Sequence, residues 1–237
     1  MSTGARKRKK NKDASRQAEP LQLNRRLHMV TGAVILVGAA LTVLAMIFFV
    51  ANRGEPSGGP PPGDGQAGKY PYEVGDPGPG EQAPPMELAS TEGGTFDLAS
   101  ARGETVLLYF QEGLMCQPCW DQLKDVEAQW GKFEEFGIDR MVSITHDPLD
   151  ALKQKVDSEG ISTPVLSDPG LKVSRTYDAN KYGMMGGSTN GHTFIIVGPD
   201  GKIKWRADYG GAPDYTMYVP VENLLADMRQ GLEKAPR

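Results

Sequence analysis

Cys116 and Cys119 are the only cysteines of the chain, and they follow the apolar run Val106–Phe110 after a short loop. The run consists of residues that favour β-strands, and the apolar residues beyond the cysteines recur at helical spacing. Two thiols three positions apart can form or open a disulfide across one helical turn with little backbone movement. Because the first thiol lies at a helix N-terminus, the helix dipole and the unpaired N–H groups stabilise its thiolate. The sequence therefore predicts a redox-active dithiol at a strand-to-helix junction.

Two other interpretations of a Cys-x-x-Cys pair remain open. A structural zinc site needs about four ligands, whereas this chain has no further cysteine and only three scattered histidines, His28, His146 and His192. A static disulfide that closes so short a loop removes little entropy from the unfolded chain, so it stabilises a domain weakly. We favour the redox-active pair, which Pro118 supports because proline fits the first turn of a helix.

The segment Cys116-Gln-Pro-Cys119 after an apolar strand resembles the thioredoxin active site, whose usual form is Cys-Gly-Pro-Cys. Residues 191–203, with the sequence GHTFIIVGPDGKI, are similar to a strand–turn–strand of membrane-tethered thioredoxin-like and redoxin (peroxiredoxin-related) proteins. The resemblance covers about residues 75–230. It implies a thioredoxin-like α/β fold, with a mixed central sheet and helices on both faces, preceded here by one transmembrane helix.

The remaining pattern agrees with an α/β fold because predicted strands and helices alternate. The predicted strands cover 95–98, 106–110, 141–145, 163–167, 193–197 and 202–206. The predicted helices run from Cys116 or Cys119 to about Phe136, over 148–158 and 171–177, and from Val221 to about Arg229. Asp147 is expected to cap the second of these helices, and Gly198-Pro-Asp-Gly201 to form a hairpin turn.

The resemblance also implies roles for the cysteines and their neighbours. Cys116 is the more exposed nucleophile that forms a mixed disulfide with the substrate, and Cys119 resolves that intermediate. The residues expected to bind the substrate are Gln117, Pro118, Trp120 and Thr193, while Tyr109 and Met115 border the cleft. No cofactor is expected beyond the redox-active Cys116–Cys119 disulfide.

His192 marks a departure from the family pattern. Thioredoxin-like proteins usually carry a cis-proline here, and peroxiredoxin-like proteins commonly carry an arginine. A histidine beside a reactive thiol would stabilise the thiolate through its positive charge or move a proton near physiological pH. We therefore include His192 among the catalytic candidates.

Two alternative functions follow from the same residues. A peroxiredoxin site has the pattern Pro-x-x-x-Thr/Ser-x-x-Cys; with Cys119 as the peroxidatic cysteine, Glu112 replaces the proline and Cys116 the threonine. A soft-metal binding domain would instead hold an ion such as Cu(I) between the two sulfurs, with thioether ligands from Met184 and Met185. A thiol–disulfide oxidoreductase needs only the Cys116–Cys119 pair itself, and it is the function we expect.

The N-terminal region predicts a membrane anchor. Residues 1–28 carry nine basic and two acidic side chains, and residues 29–51 contain no charge. A helix of this length spans the roughly 30 Å hydrocarbon core, and the absence of a clear small-residue cleavage site favours an uncleaved signal-anchor. The positive-inside rule makes the basic tail cytoplasmic and the rest of the chain extracytoplasmic, on a single-pass protein of the cell membrane.

The rest of the chain divides into a spacer and a domain. Residues 52–85 are rich in Gly and Pro, which predicts a linker without a core, and residues 86–237 are long enough for one thioredoxin-like domain. Beyond residue 28 the chain carries 17 basic and 28 acidic residues, which argues against nucleic acid as a partner. The expected partners are extracytoplasmic protein thiols and disulfides. Because that compartment is oxidising, a reductant role would also require an electron donor in the membrane.

Overall fold

The computed structural model describes residues 65–234, which form one seven-stranded sheet with helices packed against it. The strands are β1 (Glu87–Ser90), β2 (Thr95–Asp97), β3 (Val106–Phe110), β4 (Arg140–Thr145), β5 (Val165–Ser167), β6 (Thr193–Val197) and β7 (Ile203–Asp208). The α-helices are α1 (Gln117–Ala128), α2 (Trp130–Glu134), α3 (Leu149–Glu159), α4 (Lys172–Thr176) and α5 (Val221–Lys234). Two short 3₁₀ helices cover Leu98–Ala101 and Ala179–Lys181.

The sheet has the strand order β2-β1-β5-β4-β3-β6-β7 and is mixed. Strands β3, β4 and β5 are parallel to one another. On one side β6 pairs antiparallel with β3 and β7 with β6, and on the other side β1 pairs antiparallel with β5 and β2 with β1. The α/β architecture predicted from the sequence is therefore confirmed. Strand β3 is internal to the sheet, and its carboxyl end leads directly to the cysteines.

The alternation of side chains along β3 divides the core into two layers, one on each face of the sheet. Leu107 and Tyr109 point into a layer that contains both cysteines and is covered by α1, α3 and α5. Val106, Leu108 and Phe110 point into a second layer, covered by the first 3₁₀ helix and α4. All five side chains are buried, as expected for a central strand of an α/β sheet.

The long helix predicted to extend to about Phe136 is interrupted. Helix α1 ends at Ala128, and Gln129 leaves the helical region with φ −118° and ψ 22° before α2 begins. The backbone N–H of Gln129 bonds to the Val126 carbonyl, a tighter turn than an α-helix makes. After the break, the Phe133 side chain of α2 packs in the same core layer as Val126 of α1.

The predicted cap of α3 is wrong. The N-cap residue is Pro148, and no side chain caps this helix end. The carboxylate of Asp147 instead accepts hydrogen bonds from the Leu114 backbone N–H and the Thr145 hydroxyl. Asp147 therefore holds the loop that carries the cysteines, because that loop offers free N–H donors within its reach.

The predicted spacer extends too far along the chain, because its last part lies against the sheet. Glu73 exchanges a pair of backbone hydrogen bonds with Asp208 of β7. Farther along, the Glu81 carbonyl accepts from the Ile203 N–H, and the Gly80 N–H donates to the Ile203 carbonyl. Near α5, the Gly68 N–H donates to the Asp227 carboxylate at 2.6 Å. The edge of β7 offers unpaired backbone groups, and this strap (residues 65–85) satisfies them. The folded unit thus begins well before residue 86.

Strand β1 was absent from the sequence-based assignment. It is short and half-exposed, and it joins β2 to β5 by antiparallel pairing. The basic tail, the apolar segment 29–51 and the first part of the predicted linker lie outside the described residues. From residue 65 to residue 234, no helix is both long enough and apolar enough to cross a bilayer.

Candidate active site

The two cysteines are joined by a disulfide at the start of α1. Their Cα atoms lie 5.4 Å apart, and Cys116 is the N-cap residue of the helix. Pro118 occupies the first turn, where no intrahelical N–H bond is lost, and the Cys119 N–H donates to the Cys116 carbonyl at 3.1 Å. No side chain caps this helix end, so the positive end of the helix dipole faces the sulfur of Cys116.

The two cysteines differ slightly in exposure. Cys116 is 5% exposed and Cys119 is completely buried. Met115, which immediately precedes the pair, is 96% exposed and projects beyond it. A substrate sulfur that approaches from solvent therefore meets Cys116 first, in the order that a nucleophile followed by a resolving cysteine requires.

The loop before the cysteines is fixed by three contacts. Gly113 has φ +92°, and a Cβ at this position would overlap the Asp147 carboxylate. Its carbonyl accepts from the Trp120 indole N–H at 3.0 Å, and the Leu114 N–H donates to Asp147 at 2.8 Å. The loop can therefore approach the end of β4 only with glycine at position 113, and it presents the disulfide in one conformation.

Tyr109 lies beneath the disulfide. Its hydroxyl donates to the Cys119 carbonyl at 3.1 Å, and its ring stacks on Phe194 with centroids 4.4 Å apart. Burial raises the pKa of Tyr109 well above its usual value, and the nearby Glu112 charge raises it further. Tyr109 is thus a neutral hydrogen-bond donor to the backbone of Cys119.

His192 is completely buried next to this tyrosine. Its ring lies 5.3 Å from the ring of Tyr109 and 5.3 Å from that of Phe194. Its Nδ1 lies 2.9 Å from the Thr216 carbonyl oxygen. A carbonyl can only accept, so Nδ1 carries the proton and Nε2 holds a lone pair. That Nε2 atom has no hydrogen-bond partner in the described structure.

The positive charge expected on His192 is not supported. Burial lowers the pKa of His192 to about 3, and the hydrogen bond to Thr216 opposes this shift only in part. The imidazole is therefore neutral at physiological pH, and the geometry gives it a free lone pair rather than a charge. Tyr109 contacts both His192 and the backbone of Cys119, so the histidine belongs to the same buried layer as the cysteines.

Glu112 is a buried carboxyl. The sequence pattern indicated only that it stands where a peroxiredoxin site has proline. It is 7% exposed, and its Oε1 accepts from the Met184 backbone N–H at 2.7 Å. Burial raises the pKa of Glu112, while the Met184 hydrogen bond and the nearby His146 lower it. Glu112 thus ties the loop around Met184 to the strand that leads into the cysteines.

Gln122 lies one helical turn beyond Cys119 and was also missed. Its side chain is buried, and its Oε1 accepts from the Val219 N–H at 2.7 Å. It thereby connects α1 to the segment before α5. A polar residue on the buried face of α1 was the available signal, since glutamine within an apolar stripe needs a partner.

The four predicted substrate-binding residues lie in different environments. Gln117 and Pro118 are exposed beside the disulfide, and the Gln117 amide bonds to Asp121 and Lys155. Trp120 is completely buried and supports the loop from below. Thr193 is also completely buried, and its hydroxyl donates to Asp208 at 2.7 Å. The side chains at 120 and 193 therefore do not face a substrate, because both are engaged inside the core.

Among residues 65–234, no group of three or more His, Cys, Asp or Glu side chains is arranged to hold a metal ion. Of the buried polar side chains, Tyr109 contacts the backbone of Cys119, and the neutral His192 packs against Tyr109. The chemistry that the cysteine pair supports is exchange at sulfur.

Comparison with known proteins places this arrangement in a family context. The model of the AhpC/TSA family matches residues 79–206. A protein of Mycobacterium tuberculosis that carries the name peroxiredoxin Rv2521 is 32% identical over 130 residues, which are 53% of this chain and 81% of the relative. The thiol-disulfide oxidoreductase ResA of Halalkalibacterium halodurans is 32% identical over 98 residues, 41% of this chain and 55% of that protein. ResA of Bacillus subtilis is 25% identical over 124 residues, which are 52% of this chain and 64% of that protein.

Solved structures agree with the fold. Peroxidoxin BcpB from Mycobacterium tuberculosis superposes with a TM-score of 0.52 at 20% identity, over 64% of this chain and 96% of that chain. AhpC of Enterococcus faecalis gives a TM-score of 0.54 at 17% identity, over 67% and 96%. At these identities the likeness shows a common thioredoxin-like fold.

Proposed function

This chain belongs to the AhpC/TSA family and is a thiol-based oxidoreductase, and we propose that it is a membrane-anchored thiol–disulfide oxidoreductase of the extracytoplasmic side. The proposed substrates are protein thiols and disulfides outside the cytoplasm. The observation that carries the proposal is the Cys116–Cys119 disulfide at the N-terminus of α1, where Cys116 is 5% exposed and Cys119 is completely buried. The relatives named thiol-disulfide oxidoreductase support the same chemistry.

The reduced protein would react in two steps. The Cys116 thiolate attacks a substrate disulfide, so that a bond between Cys116 and one substrate sulfur forms, the substrate S–S bond breaks, and the other substrate sulfur leaves as a thiolate. The Cys119 thiolate then attacks Cys116, which forms the intramolecular disulfide and releases the second substrate thiolate. The protein loses two electrons and the substrate gains them. The reverse sequence oxidises a substrate dithiol through the same mixed disulfide.

The surrounding residues support these steps. The end of the helix dipole lowers the free energy of the Cys116 thiolate, and the fixed loop around Gly113 keeps its sulfur beside that of Cys119. The Tyr109 hydroxyl holds the backbone of Cys119 through a hydrogen bond to its carbonyl. The neutral His192 packs against Tyr109 and so supports the side chain that holds Cys119.

The membrane location in this proposal rests on the sequence. The uncharged segment 29–51, flanked by nine basic residues on its N-terminal side, supports a single-pass anchor with a cytoplasmic N-terminus. If the protein acts as a reductant in that oxidising compartment, we propose that an electron donor in the membrane reduces its disulfide. Protease digestion of intact spheroplasts tests the orientation: residues after 65 should be degraded and an N-terminal tag protected, whereas the opposite pattern would overturn it.

A thiol peroxidase is the second candidate, because one relative carries the name peroxiredoxin and matches over most of its length. Cys119 would be the peroxidatic cysteine. Its complete burial and its bond to Cys116 weigh against this function, since peroxide must reach the attacking sulfur. The residue at position 192, where peroxiredoxins commonly have arginine, is a neutral histidine here.

One experiment separates the two functions. The full chain in mild detergent is equilibrated with glutathione redox buffers to measure its reduction potential, and peroxide consumption is followed in the same preparation. Cys116→Ser and Cys119→Ser variants are measured beside it. An oxidoreductase gives a reversible two-electron couple that either substitution abolishes, with negligible peroxide turnover.

Two other outcomes would overturn the proposal. Rapid peroxide consumption that survives Cys116→Ser and is lost in Cys119→Ser would make the protein a peroxidase. A disulfide that no buffer reduces reversibly would make the pair static. The value of the potential sets the direction of electron flow, and for this couple about 30 mV corresponds to about 1.4 kcal/mol.

A further inference from the structure

A pocket lies at the end of the parallel strands that is remote from the disulfide. Its volume is about 300 Å³, and it is lined by a carboxylate, an indole ring, a thioether and three smaller side chains: Glu127, Trp130, Met141, Ser162, Thr163 and Pro164. Met141 lies near the amino end of β4 and Pro164 immediately precedes β5, whereas the cysteines follow the carboxyl end of β3, which runs parallel to both strands. The pocket is therefore separate from the redox site.

Two of the lining side chains are held in place by contacts within the fold. The Glu127 Oε1 atom accepts hydrogen bonds from the backbone N–H groups of Ser162, at 2.8 Å, and of Thr163. The Trp130 ring stacks on Phe133, with centroids 5.9 Å apart and ring planes 13° from parallel. The carboxylate and the indole are thus positioned before any ligand binds, which reduces the ordering cost of binding.

The pocket carries one negative charge that no cation balances. Glu127 is the only ionisable residue among the six that line it. Within residues 65–234, no lysine, arginine or histidine forms an ion pair with Glu127, and its Oε2 atom accepts no hydrogen bond. The two backbone N–H groups on Oε1 are neutral donors, so the net charge of the carboxylate remains.

These features discriminate between classes of ligand. An anion would be repelled by Glu127, and a neutral apolar compound would desolvate the carboxylate without compensating its charge, which is costly. A metal ion needs several ligands besides one carboxylate, and the described part of the chain has no group of three or more His, Cys, Asp or Glu side chains arranged to hold one. An organic ammonium ion fits, because its charge pairs with the carboxylate and its alkyl groups gain cation–π attraction at the Trp130 ring.

We infer that this pocket is a binding site for a small, freely diffusing organic ammonium compound, whose charge Glu127 and Trp130 recognise. A cavity of about 150 Å³ holds a molecule of the size of benzene. A pocket of about 300 Å³ therefore accommodates an ammonium group with several carbon atoms around it. Ser162 and Thr163 line the same pocket, so a ligand that also carries a hydroxyl group suits it.

The test uses choline and its neutral isostere dimethylbutanol, in which a carbon atom replaces the nitrogen. The two compounds have nearly the same shape and differ in charge. Their binding to the full chain in an uncharged maltoside detergent is measured by isothermal titration calorimetry. We expect saturable binding of choline with a dissociation constant on the order of 1 mM. The neutral compound should bind at least ~10-fold more weakly, because only choline offers a charge to Glu127.

Two substitutions assign the binding to this pocket. Glu127→Gln removes the charge while the amide oxygen still accepts from Ser162 and Thr163, so choline should bind ~10-fold more weakly. Trp130→Leu keeps an apolar side chain without the aromatic face and should weaken binding ~3-fold. Glu134→Gln is the matched control, because Glu134 is an exposed carboxylate of α2 outside the pocket, and its choline affinity should stay within about twofold of the wild type.

Phosphocholine distinguishes a free ammonium compound from the headgroup of a lipid. Its phosphate would lie close to the Glu127 carboxylate and be repelled, so we expect weaker binding than that of choline. Tighter binding than that of choline would overturn the assignment to a free ammonium compound, because the pocket would then recognise the headgroup.

Three other results would overturn the inference: no saturable binding of choline, equal affinities for choline and dimethylbutanol, or choline binding that Glu127→Gln leaves unchanged. The comparison of the two compounds uses the wild type alone, so it decides the question even if a substitution disturbs the fold. None of these measurements involves the cysteines. A failure here therefore leaves the proposed thiol–disulfide function unaffected, and a failure of that function leaves this site unaffected.

Discussion

Two buried polar networks lie on the same sheet and differ in how completely their atoms are paired. In the first, the Asp208 carboxylate accepts from Arg206 at 2.7 and 2.9 Å, from the Thr193 hydroxyl at 2.7 Å and from the Gly75 N–H at 2.7 Å. Arg206 also donates to the Pro77 carbonyl of the strap. Both charged side chains are completely buried.

The second network consists of the buried side chains of His192, Gln122 and Glu112, and it is only partly paired. The Nε2 atoms of His192 and Gln122 have no hydrogen-bond partner in the described structure. Burial raises the pKa of Glu112 and lowers that of His192 to about 3, so the imidazole is held neutral. A fully paired network fixes one conformation, whereas unpaired buried groups cost stability. The comparison indicates that the first network stabilises the fold, whereas the second leaves polar atoms unpaired inside the core.

Among the tests of this comparison, the largest effect is expected for Arg206→Leu. It leaves the Asp208 carboxylate buried without its cation, so we expect the free energy of unfolding to fall by about 3–5 kcal/mol. Urea unfolding at pH 7 measures it. Arg140→Leu is the matched control, because Arg140 pairs with Glu104 at 2.9 Å with side chains 47% and 39% exposed, and its loss should cost less than ~1 kcal/mol. Equal losses in the two variants would contradict the assignment of the first network to the fold.

The second network predicts a pH dependence centred on His192. Its folded pKa is about 3, below the value near 6.5 expected in the unfolded chain. The unfolded state therefore binds a proton first as the pH falls, and the stability that the neutral imidazole contributes is complete above about pH 6.5 and is lost toward pH 3. Between pH 6 and pH 4 the unfolding free energy of the wild type should fall by up to about 1.4 kcal/mol per pH unit relative to His192→Phe.

The difference between the two proteins isolates His192 from other titrating groups. Glu112 and Asp227 have raised pKa values, mainly through burial, so their effect has the opposite sign and is common to both proteins. Urea unfolding at pH 7, 6, 5 and 4 measures the difference. Parallel stability curves for the two proteins would show that His192 is not held neutral by the fold.

The local sequence pattern was sufficient to predict the central strand, the hairpin turn and the disulfide. Five consecutive apolar residues predicted the central strand 106–110, and the hairpin turn at Gly198–Gly201 followed from its glycines and proline. The cysteine pair likewise predicted the position of the disulfide, because three residues of helix bring two thiols together. Each of these features depends only on neighbours in the sequence.

Contacts between distant residues were not predictable in this way. Asp147 holds Leu114 across 33 positions, and a local pattern showed only an aspartate before a proline. Gly and Pro in residues 65–85 indicated weak local preferences, yet the unpaired edge of β7 orders this strap through backbone pairing. The resemblance implied that Thr193 binds substrate, but the residue is buried on β6 and its hydroxyl donates to Asp208.

Thr193→Val tests whether Thr193 belongs to the first network rather than to the substrate site. It removes one hydrogen bond to Asp208 while the contacts of Arg206 with that carboxylate remain, so we expect a loss of about 1–2 kcal/mol of unfolding free energy. The rate of reaction with hydroxyethyl disulfide should stay within about twofold of the wild type, because the buried side chain does not face the sulfurs. A large loss of rate with an unchanged unfolding free energy would show that Thr193 acts in substrate binding, as the sequence predicted.

The smallest effect is expected for Gln117→Ala, which belongs to neither network. Gln117 lies between the cysteines, but its amide bonds only to Asp121 at 3.0 Å and Lys155 at 3.1 Å, both at the surface. Exposed hydrogen bonds of this kind contribute little, so the unfolding free energy should change by less than ~0.5 kcal/mol. The reduction potential should also move by only a few mV, since the helix dipole and the backbone around Cys116 are unchanged. Equilibration with glutathione measures this, and a shift beyond about 30 mV would mean that the exposed amide, rather than the buried layer, tunes the thiols.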